Sequence, residues 1–297
     1  MTRHRSPDRG YFDGFAEQRI DTGDAQIFAR SAGNGPAVLL LHGHPRTSGT
    51  WHGVARQLVD SGFAVVCPDL RGYGRSSGPP PSPDHTAHSK RAMADDMFAV
   101  MEQLGHPEFA VVGHDRGSYV AFRMALDLPD VVTRVALLDS IPIIEHLERM
   151  TPEFATQWWH WFFFAQPDIP ERVISADPDS WYRGDPAVMG VENHAEWRAA
   201  TRNPAVVRAM LDDYRAGLTV DAQDERNDRR RGVRLHQPLL VAWSAFDDLE
   251  QLFGDPIVIW RNWADDVTGV KIPSGHHMAE EAPDLLADAL ATFMSRR

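Results

Sequence analysis

The stretch Phe109-Ala-Val-Val-Gly-His-Asp-Arg-Gly117 limits what this chain can fold into more than any other. Phe109 to Val112 has the make-up of a buried strand. Apolar residues at Val120, Met124 and Leu128 give helical spacing directly afterwards. Between them there is room only for a tight turn. A strand, a sharp bend and a helix, with glycine two positions before and two after the central residue, is the arrangement that lifts a nucleophile out of a sheet. The bend strains the backbone of the middle residue, and side chains two positions away would collide. That middle residue is Asp115. A carboxylate so placed attacks carbon and becomes an ester. A βα turn without chemistry has the same short pattern, so the rest of the chain must decide.

The chain has 297 residues, enough for one large α/β domain. Residues 1 to about 15 read as a loose arm. The segments around Gly23-Asp24 read as a β-hairpin. Ala37–Leu41 and Phe63–Pro68 are continuous apolar runs, the mark of strands covered on both faces. Helical spacing covers Trp51 to Leu58 and Ser89 to Leu104, and Arg134–Asp139 is a further strand. The pattern then changes. Five of the nine tryptophans, Trp158, Trp159, Trp161, Trp181 and Trp197, fall in a helical stretch that ends in Asp224-Glu-Arg-Asn-Asp-Arg-Arg-Arg231. The mixed signs of that run predict a solvated face. Strands return at Leu239–Ser244 and Val267–Ile272, and a helix closes the chain from Pro283 to Met294. Alternating strands and helices mean a parallel sheet with crossovers. The expected organisation is a core of residues 1–141 plus 236–297 with a helical cap over 142–235. Ligands of such sheets bind at the carboxyl ends of the strands, so the cap should cover Asp115.

Two further residues reach that edge. Asp139 ends the strand after the elbow helix, and His276 follows the last strand in Ser274-Gly-His-His-Met278. Nucleophile, acid, histidine is the order of an α/β-hydrolase triad. Trp243-Ser-Ala-Phe-Asp-Asp248 offers Asp247 or Asp248 as a rival acid after the next strand.

With these residues in view, the chain resembles the α/β-hydrolases, and among them the haloacid-type dehalogenases that act on fluoroacetate. The resemblance runs from Phe15 to Phe293. It is carried by His42-Gly-His-Pro45, by Gly113-His-Asp-Arg-Gly117, by His160-Trp161 with Ala165-Gln-Pro167, by Asp213-Tyr-Arg-Ala-Gly217, and by Ser274-Gly-His276 with Glu280-Glu-Ala-Pro283. It implies that Asp115 displaces halide from a haloacetate, that His276 oriented by Asp139 activates water against the ester, and that a 2-hydroxy acid leaves. It prefers Asp139 as the acid. It makes Arg116 a clamp for the substrate carboxylate, and His160, Trp161 and Tyr214 donors to the leaving halide. Two positions depart from the family. A second arginine is usual where this chain has Tyr119, and an aromatic residue where it has His44; both positions belong to the substrate-binding set.

One rival is an epoxide hydrolase with the same Asp-His-Asp logic, using Tyr182 and Tyr214 to activate the epoxide oxygen. A serine esterase is disfavoured because Ser118 lies beyond the elbow. A pocket that binds without forming an ester is the non-enzymatic alternative. No metal-ligand cluster or dinucleotide fingerprint appears, so neither metal nor cofactor is expected. A net charge of −12 disfavours nucleic acid and anionic membranes as partners. The expected partner is a small-molecule substrate, and a homodimer stays open. One cysteine, Cys67, and a polar start without a signal-peptide core point to the cytoplasm.

Overall fold

The computed structural model describes residues 10–296. All five residues of Ala37–Leu41 are buried. A strand with parallel neighbours and both faces covered leaves no side for a polar group. This strand, β3, sits inside an eight-stranded sheet of order β1-β2-β4-β3-β5-β6-β7-β8. The other strands are β1 (Ala16–Asp21), β2 (Gln26–Ala32), β4 (Ala64–Pro68), β5 (Phe109–His114), β6 (Val132–Leu138), β7 (Leu239–Ser244) and β8 (Val267–Ile272). The expected hairpin is β1–β2. β2 also meets β4 antiparallel, and every later pairing is parallel. The alternation of elements implied this mostly parallel sheet, and the resemblance implied the α/β-hydrolase fold it forms.

Alternation along each strand divides the core into two layers. Leu39, Leu41 and Val111 share one cluster with Met93, Met97 and Met101 of helix Lys90–Gln103 and with Val120 and Met124 of helix Arg116–Asp127. Val38, Leu40 and Val112 share the other with Val54 and Leu58 of helix His52–Asp60 and with Leu286 and Leu290 of helix Pro283–Met294. Among the described residues from 143 to 231, between β6 and β7, the regular elements are helices. No helix is long and apolar enough to cross a membrane.

Two local expectations need correction. Residues 1–9 of the expected loose arm lie outside the described residues, but Tyr11, Phe12 and Phe15 pack on the core. Phe12 is buried and sits 4.5 Å from the Arg30 guanidinium. Three aromatic rings bury too much apolar area to stay free. The charged run ending at Arg231 is not a purely solvated face. It forms helix Ala222–Arg231, in which Glu225 and Asp228 are buried. Glu225 accepts hydrogen bonds from the amides of Ile143 and Ile144, and Asp228 pairs with Arg123. The mixed signs reflect pairing to the core.

Candidate active site

The elbow after β5 is tight enough to exclude any side chain but hydrogen at its flanks. A Cβ on Gly113 would lie 2.2 Å from the Gly117 carbonyl oxygen, and one on Gly117 would lie 2.4 Å from the oxygens of Leu41 and His42. Asp115 between them has φ 52° and ψ −119°. A non-glycine residue in that region carries strain that the surrounding structure must hold. Ser118 braces the bend from beneath, its hydroxyl donating to the carbonyls of Gly113 and Leu138. It is therefore buried and structural, away from the position of a nucleophile.

The Asp115 carboxylate is held at one oxygen. Oδ1 accepts from the backbone N–H of His44 at 2.6 Å. Gly43 allows this approach, since a Cβ there would fall 2.3 Å from the same oxygen. The His44–Pro45 peptide is cis. An amide donor on the loop after β3 is one half of the oxyanion hole typical of this elbow.

His276 faces the other oxygen. Its Nε2 lies 3.9 Å from Asp115 Oδ2, and its Nδ1 meets both Asp139 Oδ2 at 2.8 Å and Asp247 Oδ2 at 3.0 Å. The choice of acid left open by the sequence is thus occupied twice. Asp139, with φ 53°, is anchored by the Ser244 hydroxyl and amide. Asp248 points elsewhere and accepts from the Trp158 indole at 2.9 Å. Burial works against charge on His276. The hydrogen bonds it donates to Asp139 and Asp247, together with the Asp115 charge, outweigh it and hold the imidazole well above its usual pKa. Burial pushes the Asp139 carboxyl up. On Asp247 burial is outweighed by His276, which draws the carboxyl down to about 2.

The loop that carries His276 is fixed by groups that spacing alone did not single out. His114, at the end of β5, bonds the His276 carbonyl through Nε2 at 2.8 Å. Glu281 accepts from the amides of Gly275 and His277. Glu280, fully buried at its side chain, pairs with Arg46 and accepts from Thr50 and from Asn193 of helix Val191–Thr201. One carboxylate thereby joins the His44 loop, the His276 loop and the helical insertion. The groups His114–His276–His277 and Asp139–Asp247–His276 bring possible metal donors within 4.8 Å of one another. In both, His276 Nδ1 is engaged by carboxylates, and in the first His114 Nε2 is engaged by a carbonyl, so those donor atoms are already taken.

A cavity of about 270 Å³ opens above Asp115 and His276. His44, His160, Trp161 and Tyr214 line it, and so do Gln157, Trp158, Asp247, Asp248 and His277. Tyr214 packs edge-on against His44 with ring centroids 5.1 Å apart. Burial, with the nearby His276 and Arg116 charges, drops His160 to about 4. Burial also holds His44 and His277 well below the usual imidazole range. At neutral pH these three rings are uncharged.

Arg116 and Tyr119 are not among the lining residues. Arg116 is 1% exposed; its Nε and Nη2 bond the Asp213 carboxylate at 3.0 and 3.1 Å, and Nη2 also bonds the Asp213 carbonyl. Tyr119 is buried and its hydroxyl meets His146 Nε2 at 3.1 Å. Asp213 also takes Lys90 and the Tyr73 hydroxyl. The sequence offered Asp213 only as the neighbour of Tyr214. A pairing across 97 positions leaves no periodic trace.

The strained acid, the paired histidine and the mostly parallel sheet define a class. A model of the alpha/beta hydrolase fold matches residues 36–281, and the chain belongs to that family. Within the family it is similar to a fluoroacetate dehalogenase from Burkholderia sp, 40% identical over 96% of this chain and 95% of the relative. It is also similar to a soluble epoxide hydrolase from Corynebacterium sp. (strain C12), 31% identical over 89% of this chain and 92% of the relative. The crystal structure of an α/β-hydrolase from Nostoc sp PCC 7120 superposes with a TM-score of 0.92 at 39% identity, covering 96% of this chain and all of that one.

Proposed function

We propose that this chain is a hydrolytic dehalogenase of the haloacetate type, and that Asp115 carries the organic group as a transient ester. The observation that carries the reading is the Asp115 carboxylate on the elbow with His276 Nε2 3.9 Å from its free oxygen, beneath an aromatic-lined cavity. Asp115 Oδ2 attacks the carbon α to a carbonyl, the carbon–halogen bond breaks, and halide leaves with the bonding pair. A carboxylate in water is a weak nucleophile because it is well hydrated, and the Trp158, Trp161 and Tyr214 rings exclude that water. His160, Trp161 and Tyr214 bring N–H and O–H donors to the wall where halide would depart.

Ester formation also resets the base. Three carboxylates hold a proton on His276 in the resting site, and the ester removes the charge of one of them, Asp115. The imidazole becomes easier to deprotonate as soon as there is an ester to hydrolyse. It gives up that proton to solvent and, now neutral at Nε2, takes a proton from water, hydroxide adds to the Asp115 carbonyl carbon, and the His44 N–H receives the oxyanion. Collapse releases the hydroxylated product and restores the carboxylate.

The test is mass spectrometry of the His276→Ala variant after exposure to chloroacetate and to chloroacetamide. We expect a mass gain on the peptide holding Asp115 with at least one of them and none in the Asp115→Asn chain. A clean peptide with both would overturn the reading. Epoxide opening is the second reading, favoured by Tyr214 in the cavity wall and by the Corynebacterium relative. Tyr182, its expected partner, is not among the lining residues. Diol formed from styrene oxide, without halide release from either chloro compound, would establish that reading.

A further inference from the structure

We propose that the cavity takes an uncharged α-halo carbonyl compound, a haloacetamide above all, in preference to a free haloacid anion. This rests on the reading of Asp115 as the nucleophile. It concerns only what the rest of the substrate looks like.

The charges around the cavity argue against an anion. Asp115, Asp247 and Asp248 line it, and Asp139 stands one hydrogen bond behind His276. None of the lining residues is a lysine or an arginine. The imidazoles of His44, His160 and His277 are uncharged at neutral pH, for the burial given above. His276 supplies one positive charge, and two carboxylates already share its Nδ1.

The cations that could have faced a carboxylate are committed elsewhere. Arg116 spends Nε and Nη2 on Asp213, and Lys90 pairs with Asp213 and lies 3.5 Å from Asp221. Tyr119, one helical turn from Arg116, gives its hydroxyl to His146. A free acid would therefore enter beside carboxylates without a charge-assisted partner. Losing one such bond corresponds to roughly a ten- to hundredfold drop in binding.

The same wall suits an amide. Gln157, Asp247 and Asp248 present oxygens able to accept from an amide N–H₂. The cavity, about 270 Å³, is close to the lower end of small-molecule sites at roughly 300 Å³. That leaves room for a two-carbon chain and its amide. The reaction balances as before: the Asp115 oxygen bonds the α-carbon and leaves with it as the product hydroxyl, chloride departs with its electron pair, water restores the oxygen on Asp115 and supplies the protons, and 2-hydroxyacetamide and hydrogen chloride are the products.

The experiment is chloride release by the wild-type chain from chloroacetamide and from chloroacetate, with the Asp115→Asn chain as blank for spontaneous alkylation. The expected kcat/KM ratio favours the amide by at least tenfold, and a ratio of one or below overturns the proposal. The His276→Ala chain separates the two levels of the argument. Label on Asp115 from chloroacetate alone leaves the ester reading standing and removes this one, whereas label from neither removes both. Asp213→Asn should release Arg116 and move the ratio about tenfold toward chloroacetate. An unchanged ratio in that chain, folded, would contradict the part given to the Arg116–Asp213 pair. The wild-type ratio decides the matter even where that variant does not fold.

Discussion

Replacing Asp139 and Asp247 by asparagine, singly and together, probes how the imidazole is held. Both carboxylates reach the same Nδ1, at 2.8 and 3.0 Å, and one N–H serves both. With Asp247 gone, Asp139 keeps its place because Ser244 holds both of its oxygens. With Asp139 gone, Asp247 still accepts the N–H and still fixes the tautomer. Each single variant should therefore slow ester hydrolysis by no more than about tenfold, the lower end of one charge-assisted bond. Removing both leaves Nδ1 without an anionic acceptor, and the loss should approach the roughly 10⁴-fold seen when a triad acid is neutralised. The two singles then account for about two decades of four. The remaining two decades are a coupling of about 2.7 kcal/mol, a size expected for groups that share a partner. The assay is single-turnover decay of the labelled Asp115 peptide after rapid quench, with the alkylation phase as internal control. A 10⁴-fold loss from one single substitution with the other silent would show that one acid does all the work and refute the reasoning.

Gly43→Ala would put a methyl group 2.3 Å from Asp115 Oδ1. Moving the nucleophile by a fraction of an ångström should slow Asp115 labelling at least about a hundredfold, while a thermal melt shows the chain still folded; full labelling speed would refute this. His146, fully buried and pushed down to about 3 chiefly by burial, is neutral in the fold and takes up a proton on unfolding below about pH 6.5. Stability should fall as pH drops from 6 to 4. Denaturant titrations of His146→Phe should show that slope reduced by about 1.4 kcal/mol per pH unit, and an unchanged slope would count against a neutral His146.

Several of the parallel strands were legible as short apolar runs. Ala37–Leu41, for instance, is buried at every position. The elbow was legible because Gly113 and Gly117 are required by space, and that requirement leaves a mark at fixed spacing. Asp139, Asp247 and His276 could be found because chain order places them after strand ends. That both acids serve one nitrogen could not: they lie 108 positions apart in the chain and converge on it only after β6 and β7 have paired. The burial of Arg116 was hidden for the same reason. The residue stands beside the nucleophile in the sequence, but Asp213 arrives from helix Pro204–Ala216 and turns it away from the cavity. The charged tail of the insertion misled because mixed signs look the same whether they meet water or the core.

The Asp213 junction has a mechanical consequence. Helix Pro204–Ala216 is riveted to the sheet layer through Arg116, Lys90 and Tyr73, and pulling it away would strand ions in a medium that cannot hydrate them. By energy, that helix moves with the strands although it is threaded between β6 and β7. The points where the chain leaves and rejoins the sheet therefore do not mark a boundary in energy, since this part of the helical stretch belongs with the strands.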